Sequence, residues 1–259
     1  MIEICPLSSG SKGNSVFFKT KKAKVLIDLG ISYLQLKKRL QEINVNPDEI
    51  DAVFVTHEHM DHISGLKLFI ENHNSLIICN VDVAKAIRNQ LNIEENFKIF
   101  STHSSFEFKD MKIFPFSIMH DTIDPVGYIF NVDNLKFAFC TDIGFVSSLV
   151  KKYLTDCNYL YLEANHSINM VHSCNRSKIY KDRVLSRVGH LSNDDFFKLL
   201  SEIYNDKLKH IHIAHISQNC NSYDLLKDLM EDFLKDKKYK APFSFTHQDK
   251  VSNKVLFKR

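Results

Sequence analysis

Residues 55–65 read "VTHEHMDHISG", so His57, His59, Asp61 and His62 fall within six positions, directly after an apolar run. Repulsion between imidazoles, their desolvation and lost packing all disfavour such a cluster unless a cation gathers it. Imidazole and carboxylate together suit Zn²⁺, Mn²⁺ or Fe. In H-x-H-x-D-H, His57 and His59 stand two apart on an extended segment and point to one side. Asp61 and His62 begin the following turn and point elsewhere. One ion cannot easily take all four from so tight a loop. Two adjacent ions can, with His57 and His59 on one and Asp61 and His62 on the other.

Two ions need further ligands, and a shared one to hold them ~3.5–4 Å apart. Strand ends supply candidates: "FSIMHD" carries His120, "KFAFCTDIG" carries Asp142 before a glycine, and "IHIAHIS" carries His215. Taken singly, each reads as a capped or solvated polar residue. As a series they complete two sites, His57, His59 and His120 on the first and Asp61, His62 and His215 on the second. Asp142 suits the bridge because a carboxylate has two oxygens and a neutral imidazole one lone pair.

The chain around this series has 259 residues, enough for one large domain with a sizeable core. No repeat, low-complexity linker or Pro/Gly-rich hinge interrupts it, which predicts a single domain over residues 1–259. No stretch approaches ~20 continuous apolar residues, so no membrane span is expected. The N-terminus lacks the basic start and long apolar segment of a secretory leader. Six scattered cysteines without CxxC pairs fit buried free thiols in a cytoplasmic protein. The net charge of +3 permits a nucleic-acid partner without demanding one. The oligomeric state is not legible.

Hydrophobic periodicity predicts an α/β order. Strands are expected at residues 2–7, 14–20 and 23–28, a helix at 32–43, then a buried strand at 51–57 whose end carries the cluster. A helix over residues 61–72, a strand at 75–79 and a helix at 81–91 follow. Residues 97–140 are mostly strands, and the remainder alternates, with helices near 146–154, 178–188, 193–204 and 222–234. Polar residues able to bind ligands repeatedly sit at strand ends, where α/β proteins build sites.

"THEHMDH", then a histidine, then "TD", then a late histidine resembles the metallo-β-lactamase superfamily. The resemblance covers essentially the whole chain and implies an αββα four-layer sandwich with a di-metal site of two Zn²⁺ or Mn²⁺ ions. "LIDLG" matches that family's early Asp, here Asp28, implying support of the metal loop by hydrogen bonds. "SGSKGN" (9–14), "HDTIDPVGY" (120–128), "LEANH" (162–166), "GHLSN" (189–193) and "AHIS" (214–217) are similar to the YycJ/WalJ branch. That branch implies 5′-to-3′ exonuclease action on DNA. Two departures stand out: Asn165-His166-Ser167 where the branch tends to Asn-His-Asp, and "NRSKIYKDRV" where it has an aromatic-proline turn.

"SGSKGN" reads either as a flexible turn or as backbone amides facing a phosphate. "GHLSND" reads first as a helix start capped by Ser192 or Asn193, with His190 just outside it. His190 and His166 are candidate proton donors to a leaving oxygen, and Asp61 a candidate acceptor of the nucleophile's proton. His210 and His212 alternate with apolar residues and read as structural. A small-ester hydrolase (thioester or lactone) of the same fold would share every ligand, and a non-catalytic metal-binding regulatory protein would keep the fold.

Overall fold

The opening strands of this computed structural model follow the apolar runs of the sequence. The structure describes residues 1–94, 96–237 and 240–258, with the side chains of residues 236 and 237 left aside. β1 (Ile2–Ser8), β2 (Ser15–Lys19) and β3 (Lys24–Ile27) pair antiparallel in succession. β4 (Ala52–Phe54), β5 (Leu76–Asn80) and β6 (Phe97–Phe100) then add in parallel. Parallel neighbours need crossovers, and α1 (Tyr33–Glu42), α2 (Met60–Ile63), α3 (Leu66–Asn72) and α4 (Val81–Leu91) lie in them. β14 (Val255–Phe257) pairs with β1, giving the order β14-β1-β2-β3-β4-β5-β6.

A second seven-stranded sheet has the order β13-β12-β11-β10-β9-β8-β7. Its strands are β7 (Phe106–Phe108), β8 (Met111–Ser117), β9 (Val126–Val132), β10 (Leu135–Cys140), β11 (Tyr159–Glu163), β12 (His210–Ala214) and β13 (Phe243–Phe245). β10 to β13 are parallel, and the helices α5 (Ser148–Leu154), α6 (Ile168–Ser173), α7 (Lys178–Val184), α8 (Asn193–Ile203) and α9 (Tyr223–Lys237) alternate with them.

The chain divides into two compact units. The first is Met1–Pro115 with Thr122–Val126 and the segment from Thr246; the second is Phe116–Asp121 with Gly127–Phe245. In the first, Leu26, Val53 and Ile77 on neighbouring strands pack with Leu36, Phe69 and Ile87 from the helices, all fully buried. In the second, Phe137, Phe139, Tyr159 and Tyr161 form a run of ring contacts across β10 and β11. Five of the six cysteines are buried and all are free, as the scattered spacing predicts. Burial pushes the Cys79 thiol up to about 12. Among the described residues no helix is long and apolar enough to cross a membrane.

Two helix expectations change. The single helix over residues 61–72 is two, broken at Ser64 and Gly65. Gly65 N–H donates to Leu29 O at 2.9 Å, and a Cβ on Gly65 would lie 2.2 Å from Ile31 O, so backbone packing draws the chain off the helical path. The helix expected to Val188 stops at Val184, because Gly189 folds back with its Cβ position 2.2 Å from Arg183 O. Of the three-residue strands among the described residues, β4 and β7 lie inside stretches expected to be strand, whereas β13 and β14 fall where none is expected.

His210 and His212 pack inside β12, with His210 Nε2 2.9 Å from Ser244 Oγ and His212 Nδ1 2.7 Å from the Tyr159 hydroxyl. Burial holds His210 down at about 4, so the folded state keeps it neutral while the unfolded chain protonates near 6.5. A depressed imidazole contributes stability that is complete above pH 6.5 and is lost as pH falls toward 4, on the order of 3 kcal/mol in all. Melting temperature should therefore fall more steeply between pH 7 and roughly pH 4.5 in the wild type than in His210→Gln; parallel curves would exclude this.

Candidate metal centre

In the first unit the donor loop leaves the end of β4 beside the end of β3, where Ile27 and Phe54 are in register. Asp28 follows with a left-handed backbone, φ 58°. Its carboxylate accepts from Thr56 N at 2.8 Å, from the Thr56 hydroxyl at 2.9 Å and from His62 Nδ1 at 2.8 Å. Because that hydroxyl gives its hydrogen to Asp28, its oxygen accepts from His57 Nδ1 at 2.9 Å. Both rings are thus fixed as Nδ1–H tautomers, and Nε2 is the nitrogen each would present to a metal. The His57 ring centroid lies 4.0 Å from that of His62 and 4.9 Å from that of His59. Asp61 Oδ2 lies 3.7 Å from His62 Nε2. The four donors of the H-x-H-x-D-H stretch are together.

The "SGSKGN" loop resolves toward the turn. Ser9 N–H donates to His247 O, Gly10 N–H to Asn14 Oδ1, Lys12 N–H to Gln248 Oε1, Gly13 N–H to Gly10 O and Asn14 N–H to Asp61 O, so these amides are already bonded inside the unit. What the loop delivers is a side chain that periodicity does not reveal. Asn14 Nδ2 donates to His62 Nε2 at 3.0 Å and lies 3.4 Å from Asp61 Oδ2. That amide occupies the single lone pair of Nε2, so an ion held by His62 would have to displace it. The loop can come this close because Gly30 lies against the donor segment: a Cβ there would be 1.6 Å from Asp61 O.

In the second unit His120, Asp142 and His215 lie just past β8, β10 and β12. Asp142 and His215 are left-handed, φ 59° and 52°. His120 Nδ1 donates to the carbonyls of Val188 and Gly189, 3.1 Å each, and His215 Nδ1 to Glu163 Oε1 at 2.9 Å. Their Nε2 atoms lie 3.9 and 3.5 Å from one atom, Asp142 Oδ1. Burial, opposed by Asp142, lowers the pKa of His120, which keeps it in the neutral form a metal requires.

Glu163, Asp142, His190 and His215 offer ligand atoms within 4.8 Å of one another. Glu163, though, already accepts from His190 Nδ1 and His215 Nδ1 at 2.9 Å each, from Ile143 N at 2.9 Å and from Leu191 N at 3.2 Å. It orients the two rings. Full burial alone would raise its pKa, but the charges and hydrogen bonds of His190 and His215 outweigh that and hold it below the usual carboxylate range.

His190 therefore joins the donor cluster of its unit, just ahead of α8, whose N-cap is Ser192. His166 sits differently. It is buried, its backbone bridges to Ser192, and burial pushes its ring down to about 4. Among the described residues its Nδ1 makes no hydrogen bond. Asn165, which matches the branch's Asn-His-Asp segment where Ser167 departs from it, donates through Nδ2 to His215 O at 2.8 Å and braces the left-handed turn.

A family model described as the beta-lactamase superfamily domain matches residues 23–213. The chain belongs to that superfamily. Exodeoxyribonuclease YycJ of Bacillus anthracis is 31% identical over 256 residues, covering 97% of this chain and 97% of the relative. Exodeoxyribonuclease WalJ of Streptococcus pneumoniae is 32% identical over 223 residues, covering 85% of this chain and 83% of the relative. The YycJ/WalJ resemblance of the short motifs is thus a resemblance of the whole sequence. The metallo-β-lactamase fold protein YhfI from Bacillus subtilis superposes with a TM-score of 0.71 at 12% identity, over 97% of this chain and 99% of that one. The fold is the α/β metallo-β-lactamase fold that the H-x-H-x-D-H series implied. With its clustered His and Asp donors it points to divalent metal ions as the cofactor of this superfamily member.

Gly30→Ala tests how tightly the metal loop of this fold is seated. The added methyl must displace the Asp61 carbonyl, so a loss of about 2–4 kcal/mol in stability is expected. Divalent-ion affinity measured by calorimetry should fall at least roughly tenfold. A variant with unchanged melting temperature and affinity would rule out the close seating.

Proposed function

We propose that this chain is a metal-dependent phosphodiester hydrolase acting on DNA as a 5′-to-3′ exonuclease. The observation that carries the reading is the likeness to Exodeoxyribonuclease YycJ along 97% of both chains. In this reading the chain is one domain over residues 1–259 and would bind two Zn²⁺ or Mn²⁺ ions. His57, His59 and His120 would hold one ion and Asp61, His62 and His215 the other, with Asp142 available to both. The Nδ1 bonds that orient His57, His62, His120 and His215 support Nε2 ligation by all four.

Bound divalent ions supply a nucleophile of hydroxide strength near neutral pH and neutralise charge developing on the phosphate. The protein supplies the proton traffic. Asp61 Oδ2 accepts the proton of the attacking water. His190, held by Glu163 through Nδ1, keeps Nε2 to protonate the leaving 3′-oxygen in this reading. The same carboxylate stabilises the charged ring before transfer. His166, neutral and without an Nδ1 partner among the described residues, is the second candidate for that transfer or for a bond to the substrate. In this reading the substrate is DNA inside the cytoplasm.

Metal-reconstituted protein should degrade 5′-labelled single- or double-stranded DNA from the labelled end, stop on chelation, and slow steeply as salt rises. RNA and a thioester run in parallel decide the substrate class: thioester turnover without nuclease activity would replace this reading with the ester hydrolase.

His190→Ala should keep its metals and its fold, melt somewhat lower because buried Glu163 loses one imidazole partner, and turn DNA over roughly 10²–10⁴-fold more slowly. A residue that only precedes the helix cap would leave the rate unchanged, since the capping oxygen belongs to Ser192. An unchanged rate with full metal content removes His190 from the chemistry.

A further inference from the structure

Three arginines lie over aromatic rings: Arg88 over Phe97 at 4.6 Å, Arg176 over Tyr180 at 5.2 Å, and Arg187 over Phe145 at 4.0 Å. The last pair adjoins the donor residues of the second unit. Phe145 stands three residues after Asp142, and its backbone bridges to Met119, the residue before His120. Gly144 N–H donates to Met119 O at 2.9 Å. A Cβ on Gly144 would lie 2.5 Å from Gly189 N and 2.6 Å from Arg187 O, so the turn after Asp142 lies flush on the segment that carries Arg187 and His190. The pair is therefore set against His120, Asp142 and His190 by backbone packing.

A single exposed phenylalanine is ordinary. This one keeps 39% of its surface open although a guanidinium covers part of it, and Met119 beside it is 44% exposed. Arg187 is exposed and has no carboxylate partner among the described residues. A hollow of about 110 Å³ borders the ring, lined by buried Leu191 and Leu199 together with the charged Lys151, Asp195 and Lys198. An aromatic ring beside a planar cation, with two lysines and one carboxylate around the hollow, fits a flat, polarisable group attached to an anion.

We propose that Phe145 and Arg187 form a stacking subsite for the nucleobase of the 5′-terminal nucleotide, holding its phosphate in register with the donor cluster. This rests on the exonuclease reading. Every base has a π face, so a stacking subsite binds without preferring a sequence, and the guanidinium adds a cation–π contribution. Direct contact with substrate makes Phe145 a binding residue. A structural ring that merely covers the turn would stabilise the fold and leave KM alone.

The test uses full-length, metal-loaded protein and two single-stranded oligonucleotides, identical except that one lacks its 5′-terminal base. Phe145→Ala should raise KM for the complete strand about tenfold while kcat changes less than about twofold. Phe145→Leu keeps apolar bulk without a π face and should show the same rise, whereas Phe145→Trp should restore KM. Removing the terminal base should raise the wild-type KM by a similar factor, and the two losses should not add. Additive losses, or a leucine variant indistinguishable from wild type, would overturn the subsite while leaving the exonuclease reading intact. Wild-type protein that cleaves neither strand would overturn both.

Discussion

The carboxylate of Asp28 is the point on which the first unit's donor loop depends. It is 4% exposed and accepts from a backbone amide, a hydroxyl and an imidazole belonging to residues 56 and 62. A buried carboxylate with fewer partners would protonate or draw in water. These three donors occupy its oxygens, and as the acceptor at the head of the chain Asp28, Thr56, His57 it sets the direction of each hydrogen along it. One residue at the end of β3 thereby decides the tautomers of His57 and His62, which lie one and six positions past Thr56.

Glu163 repeats the arrangement in the second unit with a different backbone. It sits at the end of β11, fully buried, and accepts from two imidazoles and two amides. Both units thus use the same physical device. A carboxylate behind the rings raises their basicity at Nε2 and removes their rotational freedom, so little ordering remains to be done when an ion binds. The cost appears in the backbone. Asp28, Asp142 and His215 are each left-handed without being glycine. That conformation costs of order 1 kcal/mol or more per residue and persists only where the surroundings over-determine it. Here the surroundings are amide bonds to the two buried carboxylates and the Asn165 bond to His215 O.

Glycines do the complementary work. Gly30 against Asp61 and Gly144 against Arg187 and Gly189 are positions where a side chain would occupy another backbone. They let loops from different strands lie in contact near the donors without a layer of side chains between them. The chemistry-bearing residues are therefore held by polypeptide backbone on several sides, which is how a site on loops reaches the precision of one on strands.

Sequence alone determined the donor types, their order and the alternation of strands and helices, because ligand identity is a property of side chains and period a property of local apolar spacing. It also determined the superfamily, since H-x-H-x-D-H followed by His120, Asp142 and His215 is a linear series. The resemblance already gave Asp28 as a support of the metal loop, but only the tertiary structure decided which donor each orienting residue holds. Asn14, Thr56 and Asn165 stand in motifs that the sequence singles out, yet their residue types do not say what they touch, and their roles arise from contacts such as Asn14 to His62 and Asn165 to His215. The breaking of the helix expected over residues 61–72 was likewise invisible, since Gly65 yields to a carbonyl at Ile31, far back along the chain. Periodicity reports what each segment buries, whereas the direction of a hydrogen bond depends on which segments meet.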